Sequence, residues 1–261
     1  MRYAELFEDP DKDIAFSLRT QAAYRAFSQY VYNATDYDNT VESKEGNLLG
    51  FDTRKFGGSE IFGVDGLLIA VGKRKGYRIG AAYTQFERPV KGFKDFLIFN
   101  ATREEPTFDN VKSSVNSVEF MGVFKHEMVH VFDNVEHNDA VLRNVGYKAD
   151  ENDRVDLKQY FNSPWEFNAY YHMIADRFAG IVREIDGLNR ADAAEIADFM
   201  GYSGNFSTDL ATGVRDFSHG RAFMQHLTEP RRRALLRRLY QLHARVGALI
   251  AAAPEADKLA A

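Results

Sequence analysis

Residues 116–133 of the chain read NSVEFMGVFKHEMVHVFD. When this stretch is drawn as a helix, hydrophobic side chains fall on nearly every side, which is typical of a buried central helix. Asn116 followed by Glu119 three positions later has the spacing of a capping box, which predicts that the helix begins there. We expect the helix to reach about Asp133. The polar residues in the middle of such a helix need a reason to be buried.

Those polar residues include His126, Glu127 and His130, in the pattern HExxH. Two histidines four positions apart lie one turn apart on the same helix face, so both imidazoles can reach one metal ion. Glu127 lies about 100° from His126 and about 60° from His130 around the helix. Its carboxylate can therefore lie beside the ion, accept a proton from a metal-activated water and pass it to a leaving amine. If the histidines instead only make hydrogen bonds in a core, Glu127 remains in apolar surroundings, where an unpaired carboxylate costs several kcal/mol.

A catalytic zinc site needs three protein ligands and one open position. Asp133 shares the helix face of the two histidines but lies about 10 Å beyond His126 along the axis. We therefore predict that Asp133 orients an imidazole N–H and does not bind the ion. Glu136 has the spacing of the third ligand in metzincins, but their signature has His at this place and Gly where this chain has Asp133, which argues against that arrangement.

Glu166 is the predicted third ligand. Ser163, Pro164 and Glu166 have the order of a helix cap, a first-position proline and a third-position glutamate, which predicts a second long helix reaching about Ile185. Ala169 is small and allows this helix to pack closely beside the first. The alternative is that Glu166 only closes the helix end as part of a capping box. Histidine and carboxylate ligands favour zinc as the metal.

His126-Glu127-x-x-His130 followed by Glu166, within the sequence SPWEFNAY at residues 163–170, resembles the gluzincin branch of the zincin metallopeptidases. The resemblance covers roughly residues 116–185. It implies that the two histidines and Glu166 bind Zn²⁺, that Glu127 is the general base and that the fold is zincin-like. The spacing to Glu166 is nearer to that of clostridial neurotoxin light chains and similar bacterial effector proteases than to that of thermolysin. Tyr170 occupies the position where thermolysin has an aspartate.

The resemblance further implies that the strand nearest the site, here Phe96–Ala101, pairs its open edge with an extended substrate. The reaction also needs a donor that stabilises the developing negative charge. Tyr170, one turn beyond Glu166, is the first candidate for this catalytic role. His172, His219 and Tyr160 are weaker candidates, and His172 and Asp176 point to other helix faces than Glu166.

The first half of the chain is predicted to be α+β. A helix is expected from Ile14 to Tyr32, followed by a polar loop over residues 33–47 and a small sheet between Phe51 and Thr102. The sheet contains the runs Gly66–Val71, Tyr77–Thr84 and Phe96–Ala101. Gly72–Gly76 is predicted to be a hairpin turn joining the first two runs, with its three cations in solvent.

The second half is predicted to be mainly helical. A helix is expected from Arg190 to Met200, and a long one from Glu229 to about Ala253. In the latter, hydrophobic residues recur at spacings of four and three, which is a helix-packing seam suited to packing within the chain or to self-association. Its cations are expected to form a solvated face. We therefore predict an α+β, zincin-like fold with a small mixed sheet and the active-site helix in residues 1–134, and a helical subdomain supplying the third ligand in residues 135–261.

Composition excludes several classes of protein. The 261 residues are 45% hydrophobic, which is enough for a buried core, and the formal net charge of −5 argues against binding of nucleic acid through bulk positive charge. The absence of cysteine excludes disulfides, cysteine-based zinc fingers and a thiol nucleophile. We expect no membrane span and no Sec signal, hence a cytoplasmic product as synthesised, with export by a specialised system left open.

The function predicted from these features is that of a zinc metallopeptidase acting on a protein or peptide, with the oligomeric state left open. Two alternatives remain. A catalytically silent zincin-fold protein, such as a virion or host-interaction component, would bind zinc without turnover. A metal-dependent hydrolase of a non-protein substrate would have a narrow pocket in place of a groove beside an exposed strand.

Overall fold

The computed structural model describes residues 10–43, 46–74, 79–136, 156–216 and 219–255. The chain divides into two compact units. We call Arg19–Val145 the sheet unit, and Met1–Leu18 together with Gly146–Ala261 the helical unit. Residues 10–18 of the first helix, α1 (Pro10–Asn33), belong to the helical unit and its remaining residues to the sheet unit. This helix confirms the one predicted over Ile14–Tyr32.

The sheet unit contains a five-stranded mixed sheet with the order β1-β2-β3-β5-β4. The pairs β1–β2, β2–β3 and β4–β5 are antiparallel, whereas β3 and β5 are parallel. The strands are β1 (Asn39–Ser43), β2 (Gly46–Asp52), β3 (Leu67–Lys73), β4 (Gly80–Val90) and β5 (Phe93–Thr102). A short helix, α2 (Gly58–Phe62), lies between β2 and β3 in the chain. The α+β class predicted from the sequence is confirmed.

The hairpin predicted at Gly72–Gly76 is wrong, because β3 pairs with β2 and β5 and not with β4. Residues 75 and 76 of that segment lie outside the described residues. The hairpin of this region joins β4 to β5 through Lys91 and Gly92. Both have positive φ, 52° and 85°, as a two-residue type I′ turn requires.

Two further predictions about the sheet are corrected. The segment expected to be a loop over residues 33–47 contains β1 and the start of β2, and β1 is polar because it lies at a sheet edge. Phe96–Ala101 belongs to β5, which has a neighbour on each side and so has no open edge. Its nearly continuous hydrophobic sequence is that of an interior strand. The open edge on this side of the sheet belongs to β4.

Helix α4 (Val118–Glu136) follows α3 (Phe108–Val115), a short helix that the sequence analysis did not identify. Asn116 ends α3, and the Oγ of Ser117 accepts a hydrogen bond from the Phe120 N–H at 3.1 Å. The predicted start at Asn116 is therefore one residue early, because the N-cap is Ser117. The helix reaches Glu136, slightly beyond the predicted end.

Stacked aromatic rings fix the position of α4 in the sheet unit. The Phe124 ring is nearly parallel to that of Phe27 on α1, at 5.4 Å, and to that of Phe99 on β5, at 5.6 Å. Phe120 also packs against Phe99, with ring centroids 4.7 Å apart. Helix α4 additionally packs against β4. The face that carries the HExxH residues is thus held at a defined place relative to the sheet.

The described helices of the helical unit are α5 (Leu157–Asn162), α6 (Pro164–Ile185), α7 (Arg190–Phe199), α8 (Phe206–Arg215), α9 (Gly220–His226) and α10 (Glu229–Ala252). The predicted start of α6 is confirmed, and α8 and α9 were not predicted. In α10 the seam residues Leu235, Leu239, Leu242 and Val246 are fully buried in the core of this unit, where α10 packs against α6. The seam is therefore used within the chain.

The cations of α10 are not all in solvent. Arg238 is 9% exposed, donates to Asp13 at 3.0 Å and stacks over the Tyr171 ring, which corrects the expectation of a uniformly solvated basic face. Arg233 pairs with Glu229 on the helix surface. Among the described residues, none of the helices combines the length and the hydrophobicity needed to cross a membrane.

The assignment of the α4 cap can be tested by two neighbouring substitutions. Ser117→Ala should lower the free energy of unfolding by about 1 kcal/mol, because the Phe120 N–H loses its partner. Asn116→Ala should change it by no more than about 0.5 kcal/mol, as is usual for surface sites. Chemical denaturation measures both. A larger loss for Asn116→Ala than for Ser117→Ala would contradict the assignment.

Candidate metal centre

Helix α4 brings the two histidines of the HExxH pattern together. The ring centroids of His126 and His130 are 5.0 Å apart and the ring planes are nearly perpendicular, at 86°. Their exposed fractions are only 7% and 9%. Burial of two imidazoles on one turn of an otherwise hydrophobic helix is the arrangement expected of a metal site.

Glu127 is held against the free edge of the sheet. Its Oε2 accepts the backbone N–H of Tyr83, on β4, at 2.9 Å, and the side chain is buried. Tyr83 lies opposite Leu97 of β5 in the strand register, but its N–H points to Glu127 and not to β5. One carboxylate oxygen of Glu127 is thus fixed by a backbone group of the edge strand.

The side chain of Tyr83 ties the same strand to the helix. Its hydroxyl donates to Asp95 on β5 at 2.7 Å and accepts from the Asn134 amide on α4 at 3.0 Å. Asp95 also accepts from Gln85 at 3.1 Å. Tyr83 could not be predicted from the sequence, because nothing local in it shows that β4 lies beside α4.

Glu166 occupies the third position of α6 and is 7% exposed. The Ser163 Oγ accepts the Glu166 N–H at 3.4 Å, as predicted for the cap. In a capping box, the Glu166 side chain would accept the Ser163 N–H, but that N–H instead donates to the Tyr160 carbonyl at 3.1 Å. This hydrogen bond argues against the alternative in which Glu166 only completes a capping box.

The Glu166 carboxylate interacts with Tyr160. Tyr160 makes side-chain hydrogen bonds with Glu166 and with Tyr170, and burial together with the nearby Glu166 charge raises the pKa of Tyr160 well above its usual value. The phenol therefore stays protonated and donates to the carboxylate. Tyr170 is buried, and its ring packs against Phe161 and Phe223 at 5.0 and 5.1 Å. Tyr160, a weaker candidate in the sequence, thus contacts the predicted ligand directly.

His126, His130 and Glu166 each offer one ligand atom, and these three atoms all lie within 4.8 Å of one another. Two imidazoles and one carboxylate are a donor set that suits a divalent transition metal such as zinc. In the part of the chain that the structure describes, this is the one group of three histidine, aspartate or glutamate residues close enough to share an ion. The group could hold a metal ion.

Other candidates from the sequence lie elsewhere. Glu136 pairs with Arg19 at 3.1 Å on the surface, in agreement with the prediction that it is not a ligand. His172 stacks on Phe16 at 4.2 Å, and burial lowers its pKa well below the usual value, while Asp176 accepts a hydrogen bond from Ser17.

His219 and Asp133 complete the set of residues considered in the sequence. His219 is exposed at the start of α9, with its ring 6.4 Å from that of Tyr170. Asp133 is completely buried one turn beyond His130, and its role in orienting an imidazole stays a prediction.

No protein-family model, curated protein or solved structure significantly matches this chain, so its function is inferred from the residues of the site themselves.

Proposed function

We propose that the protein is a zinc-dependent metallopeptidase, with His126, His130 and Glu166 as the metal ligands. The observation that carries the proposal is that these three ligand atoms lie within 4.8 Å of one another, while buried Glu127 directly follows the first of the two histidines on α4. Three protein ligands leave one coordination position for substrate or water, as in catalytic zinc sites. When bound, zinc polarises a carbonyl oxygen and lowers the pKa of water toward neutrality.

Glu127 moves the proton in this proposal. It accepts a proton from the attacking water and delivers it to the leaving amine. The Tyr83 N–H, at 2.9 Å from Oε2, fixes the orientation of the carboxylate. The bonds of the Tyr83 hydroxyl with Asp95 and Asn134 hold β4 beside α4, and this helps to keep the base aligned with the histidines. Tyr170 stays the predicted donor to the developing negative charge.

The edge of β4 supports a peptide as the substrate. The Tyr83 N–H points away from β5. In an antiparallel strand the direction of the backbone N–H and C=O groups alternates from one residue to the next, so those of Ala81 and Gln85 are also expected to point away from β5. An extended peptide can add to this edge as a further strand, which places its backbone beside Glu127. A small non-protein substrate would not form strand-like hydrogen bonds with these backbone groups.

The proposed base can be tested with Glu127→Gln. This substitution keeps the shape of the side chain but cannot accept the proton, so peptide cleavage should fall by about 10²- to 10⁴-fold. Bound zinc, measured by elemental analysis, should stay at the level of the unmodified protein. Glu136→Gln is the matched control, because Glu136 lies on the same helix and pairs with exposed Arg19 on the surface.

Equal cleavage of a peptide mixture by the unmodified protein and by Glu127→Gln would contradict the mechanism. Zinc binding without any turnover in the unmodified protein would favour a catalytically silent metal-binding protein instead.

The third ligand can be tested with Glu166→Ala. Removal of one of three ligands should lower zinc affinity by more than about 100-fold, since loss of an outer hydrogen-bond partner alone costs 10- to 100-fold. Competition with a chromophoric chelator measures the affinity. Glu136→Ala should retain the original affinity. Unchanged zinc affinity in Glu166→Ala would show that another residue is the third ligand.

Tyr160 is expected to act as a positioning residue for Glu166. Tyr160→Phe removes the hydroxyl that bonds the carboxylate and should weaken zinc binding by about 10- to 100-fold, without changing the number of zinc ions bound at saturation. Tyr240→Phe, at a side chain that is 57% exposed, is the matched control. The same zinc affinity in both variants would exclude this role for Tyr160.

A further inference from the structure

The sheet unit contains a cavity of about 410 Å³ that the metal centre does not use. Its lining comes from the ends of β3 and β5, the segment before β4, helix α3 and the first turn of α4. The volume falls within the usual range of ligand pockets, about 300 to 1,000 Å³. Eight of the ten described lining residues have polar or charged side chains.

Two arginines enter this cavity from neighbouring strands. Arg74 directly follows the last residue of β3, and Arg103 directly follows the last residue of β5. The two strands are parallel, and the Arg74 N–H donates to the carbonyl of Thr102, the final residue of β5, at 2.9 Å. The arginines therefore emerge side by side at the carboxyl ends of parallel strands, a frequent place for ligand binding.

Arg103 is the lining residue best placed to bind an anion. Ser113 on α3 offers a hydroxyl, and Arg103 makes no ion pair or hydrogen bond within the described part of the chain. Two carboxylates, those of Glu104 and Glu119, also line the cavity, but Glu119 accepts the Ile79 N–H at 3.1 Å. A carboxylate ligand can take a bidentate hydrogen bond from Arg103, whose guanidinium matches its geometry.

The cavity lies at one end of the edge strand. Ile79 lines it and directly precedes β4, whereas Tyr83, four residues later, contacts Glu127. Four residues of a strand span about 13 Å. An extended peptide paired with the β4 edge would therefore place one side chain in the cavity, three or four positions along the peptide from the bond that is cleaved beside Glu127. Along α4, the eight residues from Val118 to His126 span a similar distance, about 12 Å.

We propose that this cavity is a specificity subsite that binds an acidic side chain of the peptide substrate, with Arg103 as the principal contact. The proposal rests on the proposed function, because the edge of β4 delivers the peptide. Arg74 adds positive charge, and Ser113 adds a hydroxyl donor at the side of the cavity. Substrates with glutamate or aspartate at the matching position are therefore selected over neutral and basic ones.

The test measures peptide binding separately from cleavage. Short peptide pools, each with one position fixed as Glu, Gln or Lys, are titrated by fluorescence anisotropy against the zinc-loaded full chain carrying Glu127→Gln. At one position the Glu pool should bind about tenfold more tightly than the Gln pool, the factor expected of a charge-assisted hydrogen bond. Arg103→Ser should abolish this preference, and Arg103→Lys should keep part of it. Arg25→Ser, at an exposed arginine of α1, is the control and should leave the preference unchanged.

Equal binding of the Glu and Gln pools, stronger binding of the Lys pool, or a Glu preference that survives Arg103→Ser would overturn the subsite. The outcome is separable from that of the proposed function. Cleavage by the unmodified protein with no acidic preference would leave the peptidase and remove the subsite. Arg103-dependent binding of acidic peptides without any cleavage would leave the subsite and remove the peptidase.

Discussion

The burial of polar side chains on α4 is the constraint on which the rest of the structure depends. His126, Glu127 and His130 are each less than 10% exposed on a helix that is otherwise mostly hydrophobic. Such burial is tolerated only when every polar group has a partner, because desolvation of an unpaired carboxylate or imidazole costs free energy. The hydrogen bond from the Tyr83 N–H to Glu127 meets this need for the carboxylate, and it requires an edge strand beside the helix.

Features encoded within a few neighbouring residues could be predicted from the sequence. The hydrophobic periodicity of α1 and α10, the proline and cap at the start of α6, and the spacing of the HExxH histidines all depend on contacts within one or two helical turns. Strand pairing could not be predicted in this way. The parallel pairing of β3 with β5 depends on segments far apart in the chain, and the type I′ turn at Lys91 and Gly92 follows strand residues that include a proline.

The residues of the candidate site divide in the same way into those that could be predicted from the sequence and those that could not. His126 and His130 follow from helix geometry alone, and Glu166 follows from the requirement for a third ligand. Tyr160 was a candidate from the sequence, but its contact with Glu166 could not be predicted, because that contact depends on α5, whose residues lie just before the cap of α6 and carry no strong helix signal. Asn116 and Ser117 are both good cap residues, and only the chain path after α3 decides between them.

Tyr83 positions Glu127 through its main chain, whereas its contacts with Asp95 and Asn134 use its side chain. The amide hydrogen is present in every amino acid except proline. The hydrogen-bond donor to the carboxylate is therefore retained in most substitutions at position 83, even in those that remove the contacts of the phenol. Proline is the exception, and a chain with proline at position 83 would lose the donor even with α4 intact.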